Sequence, residues 1–454
     1  MTMSAPAAAV EPVPNVPLTP PSRWVWSLGT LGVHIFYRVD RTGDALPAGP
    51  LLLVANHPNS LLDPALIQAT AGRQVRFLAK STLCAGHLLS PLVRRAGAIP
   101  VYRRIDSGVD TSRNVEMFAA VLTALAHGEA VCLFPEGISH ARGRLEPLRT
   151  GAARMVLESG GRGTSVTIIP VGLNFERFTR FRSRVQAVFG RPFDAEDLRA
   201  LHETDPTAAV RELTGRIETK LRRLMVEAEP RHDLRLVERA DRLYAAARGA
   251  PSDPRERVER RRLIAAGMAT LRERNPEKLA DIIGRVDQYD ASLRRFGLHD
   301  RDIDREVPFR VAARFVVREG LLALPFGALA IATLALFAAP YWVTGWLARQ
   351  APDPQLRPTW KVLGGGVIYA AWIGLAAVAA GVSLGPVAGS LTVLGMIALA
   401  LFGMRAIERE TQVIRAVRAF FALRQTPREA RAWLRRERAA LAELLDELHR
   451  WMGG

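Results

Sequence analysis

The chain has 454 residues, 48% of them hydrophobic, which is room for two or three structural units with a real core. Its formal net charge of +17 raises nucleic acid or an anionic membrane surface as partners, although lysine occurs only at Lys80, Lys220, Lys278 and Lys361, and so strong an arginine bias can come from genome base composition. No zinc finger, RNP-like aromatic motif or helix-turn-helix pattern accompanies the arginines, which argues against nucleic acid, and two cysteines exclude a disulfide framework and suit a reducing compartment.

Residues 1–22 are rich in alanine and proline and lack a basic region followed by an apolar core, so they read as a disordered tail rather than a signal peptide. Residues 23–39 are apolar, with Trp24 and Trp26 at one end and Tyr37 and Arg38 at the other. The stretch is shorter than the roughly 20 residues a span needs. It predicts an interfacial membrane helix with its aromatics at headgroup depth, the alternative being an ordinary docked helix.

Residues 40–225 predict an α/β domain. Short, mostly continuous apolar runs at Leu51–Ala55, Val75–Leu78, Ala98–Tyr102, Ala130–Phe134, Val166–Leu173 and Val185–Phe189 read as strands buried on both faces, and Cys132 reads as strand core. Helical stretches such as Val109–His127 and Arg149–Glu158 lie between them. The pattern predicts a mixed central sheet flanked by helices. Residues 226–310 are charged and arginine-rich, broken at Pro251-Ser-Asp-Pro254, and predict a helical connector. Residues 319–405 hold three apolar stretches of near-spanning length, Leu321–Pro340, Val362–Val382 and Leu384–Met404, and predict C-terminal membrane helices. Residues 406–454 are charged and predict a solvent-exposed amphipathic helix.

Basic residues flank these apolar stretches at Arg310, Arg314 and Arg318, at Arg349, Arg357 and Lys361, and at Arg405, Arg409, Arg415 and Arg418. The positive-inside rule wants all three clusters in the cytoplasm. The last two stretches meet at an uncharged turn around Gly381–Ser390 and predict a hairpin. The first contains Pro325 and ends in Pro340-Tyr-Trp342, and is expected to enter and leave on the cytoplasmic side.

Four constellations carry chemistry. Asn56-His57 to Asp63-Pro64 directly follows a predicted strand, at the strand end where α/β folds place their sites. Pro58 and Pro64 bias His57 and Asp63 away from helical angles, so a compact turn is expected to join them. A carboxylate on one imidazole nitrogen fixes the tautomer and leaves the other as a base. Gly97 to Arg103 is an apolar strand ending in arginine, whose fork of donors suits phosphate. Phe134-Pro135-Glu136-Gly137-Ile138-Ser139-His140 places a carboxylate at another strand end, to bind an acceptor hydroxyl or to hold Arg103. Val166 to Gly172 is a strand broken by Pro170, whose expected role is a turn lining an acyl or acceptor channel. No serine or cysteine sits in a nucleophile elbow. Lys80, after the strand Val75–Leu78, is a further phosphate candidate.

Together, and in this order, the four resemble the blocks of the PlsC-like glycerolipid acyltransferase superfamily over about residues 40 to 200. His57 to Arg103 is 46 residues, Arg103 to Glu136 is 33 and Glu136 to Pro170 is 34. Five residues, Pro58 to Leu62, separate the histidine from the aspartate where bacterial lysophosphatidate enzymes usually have four, and with FPEGxSH this resembles the glycerol-3-phosphate and dihydroxyacetone-phosphate acyltransferase branch. The resemblance implies a glycerolphosphate acyltransferase-like fold, His57 as base and Asp63 as its partner, and acceptor binding by Arg103, Glu136 and Gly137, with Ser139 beside them. It further implies an acyl donor, acyl-CoA or acyl-carrier protein, as cosubstrate without metal or prosthetic group, a phosphorylated glycerol-type acceptor and membrane lipid as partners, and a multi-pass protein of the inner membrane with its catalytic domain in the cytoplasm. An inactive acyltransferase-fold scaffold and a lipid transporter are the competing readings. No internal repeat supports the latter.

Overall fold

The computed structural model describes residues 17–85, 89–102, 111–140, 142–229, 233–250, 253–304, 309–351 and 356–453. Two compact units divide the chain, residues 1–227 and 228–454.

In the first unit the elements run α1 (Arg23–Phe36), β1 (Tyr37–Thr42), β2 (Leu51–Ala55), α2 (Leu62–Ala71), β3 (Val75–Lys80), two short helices α3 (Ser81–Cys84) and α4 (Ser90–Arg95), β4 (Ile99–Val101), α5 (Asn114–Ala126), β5 (Ala130–Leu133), α6 (Gly151–Gly161), β6 (Thr167–Phe175), β7 (Ser183–Phe189), α7 (Arg199–Thr204) and α8 (Pro206–Arg222). The strands form one seven-stranded mixed sheet in the order β1-β7-β6-β2-β5-β3-β4. Strands β6, β2, β5, β3 and β4 are mutually parallel, so their C-terminal ends share one edge, and β7 runs against β6.

Strand β2 lies in the middle and every residue of it is buried, the signature of a strand covered on both faces. Leu52 and Val54 face a core with Val131, Leu133 and Ile168 from neighbouring strands and with α5, α6 and α8 through Val121, Leu125, Ala153, Met155 and Leu213. Each such buried side chain contributes about 1.5–3 kcal/mol. On another part of the sheet, α1 packs on α2, and Trp26 lies against Phe77 of β3 with ring centroids 5.0 Å apart. Arg76 of β3, 3% exposed, is tied to Glu129 by two hydrogen bonds of 2.6 and 3.1 Å and donates to the carbonyls of Thr19 and Gly97. This buried arginine is therefore committed to joining strands and loops.

Two sequence expectations change here. Residues 37–42 are an edge strand paired in parallel with β7, from Tyr37 opposite Ser183 to Thr42 opposite Val188, and not the end of the first helix. Helix α1 itself buries Val25, Val33 and Phe36 in the unit and leaves Trp24, Leu28 and Leu31 exposed on one side, an apolar outer stripe such as an interfacial helix carries. The strand holding Pro170 is continuous, so the expected turn is absent. Pro170 is buried opposite Val54 of β2, and its carbonyl accepts from Gly190 just where pairing with β7 ends, so its missing N–H falls at a gap in the ladder.

The second unit holds α9 (Asp233–Arg248), α10 (Pro254–Arg274), α11 (Pro276–Phe296), α12 (Phe309–Arg349), α13 (Arg357–Leu384), α14 (Pro386–Gln425) and α15 (Arg428–Gly453). The charged tail is not a free amphipathic helix. Leu434 and Leu441 of α15 share a core with Leu243 of α9, Val286, Tyr289 and Leu293 of α11 and Leu423 at the end of α14. Arg438 is buried and donates to the Asp300 carbonyl and the Asp304 carboxylate. The connector and the tail are thus one bundle, which buries the apolar stripe that an isolated amphipathic helix would leave in water.

Helices α12, α13 and α14 are each long and apolar enough to cross a membrane, with mean hydropathy of 2.3, 2.0 and 2.1 over their most apolar stretches. Large apolar side chains such as Leu324, Trp342, Val367, Leu384, Val387 and Phe402 stand exposed around them. Glycines bring the helices close: a Cβ at Gly403 of α14 would meet the Thr333 hydroxyl of α12, and one at Gly389 of α14 would press on Gly381 of α13. Glu319 of α12 and Arg409 of α14 form a charged hydrogen bond, and the Arg409 guanidinium also lies 4.5 Å from the Phe326 ring centroid.

Candidate active site

The site stands at the C-terminal edge of the parallel strands. β2 ends at Ala55, and the next six residues turn into α2. In that turn His57 Nδ1 lies 2.9 Å from Asp63 Oδ2. Asp63 is the second residue of α2, not an extended residue as the following proline suggested. Pro64 occupies the first turn of the helix, where its missing N–H is not needed. The same Asp63 oxygen accepts from the Asn59 backbone N–H at 2.7 Å, so the turn is closed from inside. Ser60 carries the tight part of the turn with φ of +51°. Its N–H donates to Ser139 Oγ at 2.9 Å.

Asp63 is fully buried and His57 is one-fifth exposed. The imidazole stacks on Phe134, with centroids 3.9 Å apart and planes at 11°. With a carboxylate on Nδ1, the proton stays on that nitrogen and Nε2 is the free base. Burial pushes the Asp63 carboxyl above its usual range, hydrogen bonding and charge from His57 and the Asn59 N–H oppose this, and the nearby Glu136 charge adds to it.

Asn59 is held in turn. Its Nδ2 donates to the Tyr37 hydroxyl at 2.9 Å, and that hydroxyl donates to the Phe178 carbonyl. Burial raises the Tyr37 pKa far above its ordinary value, so it stays a neutral donor. Asn56 clamps the end of β2 to β6 by exchanging two hydrogen bonds with the Leu173 backbone, 3.1 and 2.7 Å long.

The segment after β5 closes over this turn. Glu136 Oε1 accepts from the His57 backbone N–H at 2.9 Å, and Oε2 accepts from the Glu146 N–H at 2.9 Å and from His140 Nε2. The His140 N–H donates to the His57 carbonyl at 3.0 Å. Glu136 is buried, and all three of these donors belong to the protein. Its carboxylate fixes the backbone of the base. Ser139 Oγ likewise serves the Ser60 N–H, although its own hydroxyl proton remains available to donate. Gly137 has φ of +71°, and a Cβ there would lie 2.5 Å from Arg149 Nε. The positive φ favours glycine, and a side chain there would push the Arg149 guanidinium aside.

Lys80 ends β3, two strands along the same edge from β2, opposite Val101 of β4. Tyr102 follows, its backbone N–H and C=O both bonded to the Asn114 side chain at 3.0 and 2.7 Å. Arg103 comes next and lies outside the described residues. Pro170 is in the sheet below, packed toward Gly190 and Leu224. Tyr37, Asn59, His140 and Arg149 are the residues to which sequence reasoning gave no role at the site. Only His140 had a signal there, four residues after Glu136. Among the described residues no three or more His, Cys, Asp or Glu side chains are grouped to hold a metal ion.

The family model named Acyltransferase matches residues 38–174, the stretch that contains every contact of the His57–Asp63 turn described above except the Tyr37 hydroxyl. The chain is similar to glycerol-3-phosphate O-acyltransferase 1 of Saccharomyces cerevisiae, 31% identical over 193 residues, which are 41% of this chain and 25% of the yeast protein. It is also similar to the chloroplastic 1-acyl-sn-glycerol-3-phosphate acyltransferase BAT2 of Brassica napus, 24% identical over 32% of this chain and 39% of that one. The chain thus spans less than half the length of these curated relatives. The crystal structure of the 1-acyl-sn-glycerophosphate acyltransferase PlsC from Thermotoga maritima is a further neighbour, with a TM-score of 0.31 and 18% identity over 44% of this chain and 79% of that chain.

Proposed function

We propose that this chain, in which residues 38–174 match the Acyltransferase family model, moves a fatty acyl group from a thioester donor to a hydroxyl of a phosphorylated glycerol-type acceptor. The observation that carries the proposal is the His57–Asp63 pair, 2.9 Å apart and held by Phe134 and Glu136, with no hydrogen-bond partner for Nε2 among the described residues.

An alcohol is a poor nucleophile at neutral pH, and a positioned base contributes about 10²–10⁴-fold. His57 Nε2 removes the hydroxyl proton as the oxygen attacks the thioester carbonyl. The new C–O bond forms, the C–S bond breaks, and the imidazolium returns the proton to the leaving thiolate. Asp63 holds the ring and stabilises its charged form. Transfer is direct, since neither a serine nor a cysteine stands in a nucleophile elbow. The donor is acyl-CoA or acyl-carrier protein, acting as cosubstrate, and no prosthetic group is required.

The acceptor is glycerol 3-phosphate, dihydroxyacetone phosphate or 1-acylglycerol 3-phosphate. The similarity to the yeast glycerol-3-phosphate enzyme and the spacing of five between His57 and Asp63 favour the first two. The three apolar helices support attachment to the inner membrane, and the three arginine-rich clusters support a cytoplasmic orientation. Purified full-length protein should be assayed with labelled acyl-CoA and acyl-carrier protein against all three acceptors, with His57→Ala as control. Transfer to one acceptor that disappears in the control is the expected result. No transfer from either donor to any of the three would overturn the reading.

A further inference from the structure

Arg149, a residue outside the four sequence constellations, places a cation beside the site. Arg149 follows the loop after β5, just before the first turn of α6, and its backbone N–H donates to the Pro135 carbonyl at 2.8 Å. That bond lays its side chain across Gly137: a Cβ on the glycine would lie 2.5 Å from Arg149 Nε and 2.8 Å from Cδ. Gly137 adjoins Glu136, which holds the His57 backbone, so this guanidinium borders the wall that carries the base.

The other cations of the loop are occupied. Arg142 and Arg144 both reach Glu146, at 3.0 and 3.5 Å. Arg76 is buried in its own network with Glu129. The local carboxylates are occupied as well, Glu136 by three protein donors and Glu146 by the two arginines. Arg149 is exposed, and among the described residues no carboxylate or carbonyl takes its guanidinium. The first turn of α6 contains no acidic residue and its N-cap, Thr150, makes no side-chain cap, so the helix adds a positive end beside the arginine.

We infer that Arg149 binds the phosphate of the acceptor, with its guanidinium fork held open over Gly137. The inference rests on the proposed transfer to a phosphorylated acceptor and names the residue that recognises it. Gly137 acts with it, because any side chain at that position would displace the guanidinium.

The test compares the full-length parent with Arg149→Ala and Arg149→Lys. For the acceptor that the parent acylates, Arg149→Ala should raise KM about 10–100-fold, the worth of a charge-assisted hydrogen bond, with donor KM within about twofold. Arg149→Lys should recover part of the loss, since it keeps the charge without the fork. Preference over the matching alcohol without phosphate, glycerol or monoacylglycerol, should fall by the same factor. Equal loss on phosphorylated and unphosphorylated acceptors, or an unchanged acceptor KM, would overturn the assignment while leaving the acyltransferase reading intact. If the parent transfers to none of these acceptors, that reading has failed, and the phosphate site is then judged by binding. Glycerol 3-phosphate should still raise the parent's melting temperature and leave that of Arg149→Ala unmoved, and an equal shift in both proteins refutes the site.

Discussion

His57 is gripped from two directions by two buried carboxylates: Asp63 takes its ring nitrogen and Glu136 takes its backbone N–H. His57→Ala should abolish transfer and leave the protein folded, and near-normal turnover would remove the base assignment. Asp63→Asn should cut turnover by about 10²–10⁴-fold, because an amide does not hold the required tautomer or the charged ring. Its stability should move the other way. Burial raises the Asp63 pKa, so the folded state holds the proton more tightly than the unfolded chain does. The stability from that group is fully present below the ordinary carboxylate pKa of about 4 and is lost as pH rises through the raised value. Asp63→Asn removes the loss. Its unfolding midpoint near neutral pH should match or exceed the parent's, and the margin should shrink as pH falls toward about 4. A margin that grows on acidification contradicts the assigned direction. Glu136→Gln tests the other grip. The amide NH₂ faces donors that the carboxylate oxygen accepted from, leaving at least one buried N–H unmatched at a cost of about 1–3 kcal/mol. Melting temperature and kcat should both fall while acceptor KM stays close to the parent's. A rise confined to acceptor KM would return Glu136 to substrate binding.

At the scale of elements, α15 gives the clearest contrast between a free tail and a packed helix. Leu434 is fully buried among residues of α9, α11 and α14. Leu434→Ala should destabilise the second unit by about 2–5 kcal/mol, read as earlier melting and faster proteolysis of residues 228–454. A solvated tail would change by no more than about 0.5 kcal/mol. That helix was legible in the sequence as amphipathic, but what covers its stripe was not, because the covering residues of α9 and α11 lie about 140–190 positions earlier. The strands that could be read were those buried on both faces, such as Leu51–Ala55, where a continuous apolar run has no other explanation. Strand β1 escaped because Tyr-Arg-Val-Asp-Arg-Thr is an edge strand with half its residues charged, and it continues an apolar helix without a break. Helix α2 escaped because Pro64 reads as a breaker, while in the first turn it is tolerated. The His57–Asp63 pair was legible because both partners lie in one short turn. The inward role of Glu136 was not, since its donors are backbone and side-chain groups from positions 57, 140 and 146, which only the fold brings together.

For the molecule as a whole, three helices are long and apolar enough to cross a membrane, and the contacts of α12 bear on how it would be arranged there. Helices α13 and α14 form a hairpin whose tip is Gly385, where Gly381 and Gly389 touch. At about 1.5 Å per residue, Gly364 and Arg409 lie roughly 31 and 36 Å from that tip. The two ends of α12 are found at those depths: Leu347 packs on Gly364 and Glu319 bonds Arg409. The middle of α12 lies nearer the tip. Thr333 meets Leu399 and Gly403, Phe337 stacks on Tyr369, and Trp372 donates to the Leu336 carbonyl. By the same rise these partners are roughly 20–27 Å from the tip. A straight α12 would separate Glu319 from Leu347 by about 42 Å and put Glu319 at the tip in an up-down-up arrangement. Both ends instead share the far end of the hairpin, in a helix that contains Pro325 and Pro340. We propose that such a segment enters the membrane and returns. It keeps Arg310, Arg349 and Arg409, and the clusters around them, on one side, as the positive-inside rule requires. The experiment uses a background in which Cys84 and Cys132 are replaced by serine and alanine, with single cysteines at Pro354 or Ser383 and a membrane-impermeant thiol reagent. Ser383→Cys, beside the hairpin tip, should react in intact cells. Pro354→Cys should react only after lysis. Reaction of Pro354→Cys in intact cells would place the segment between α12 and α13 outside, make α12 a full span and refute the re-entrant arrangement.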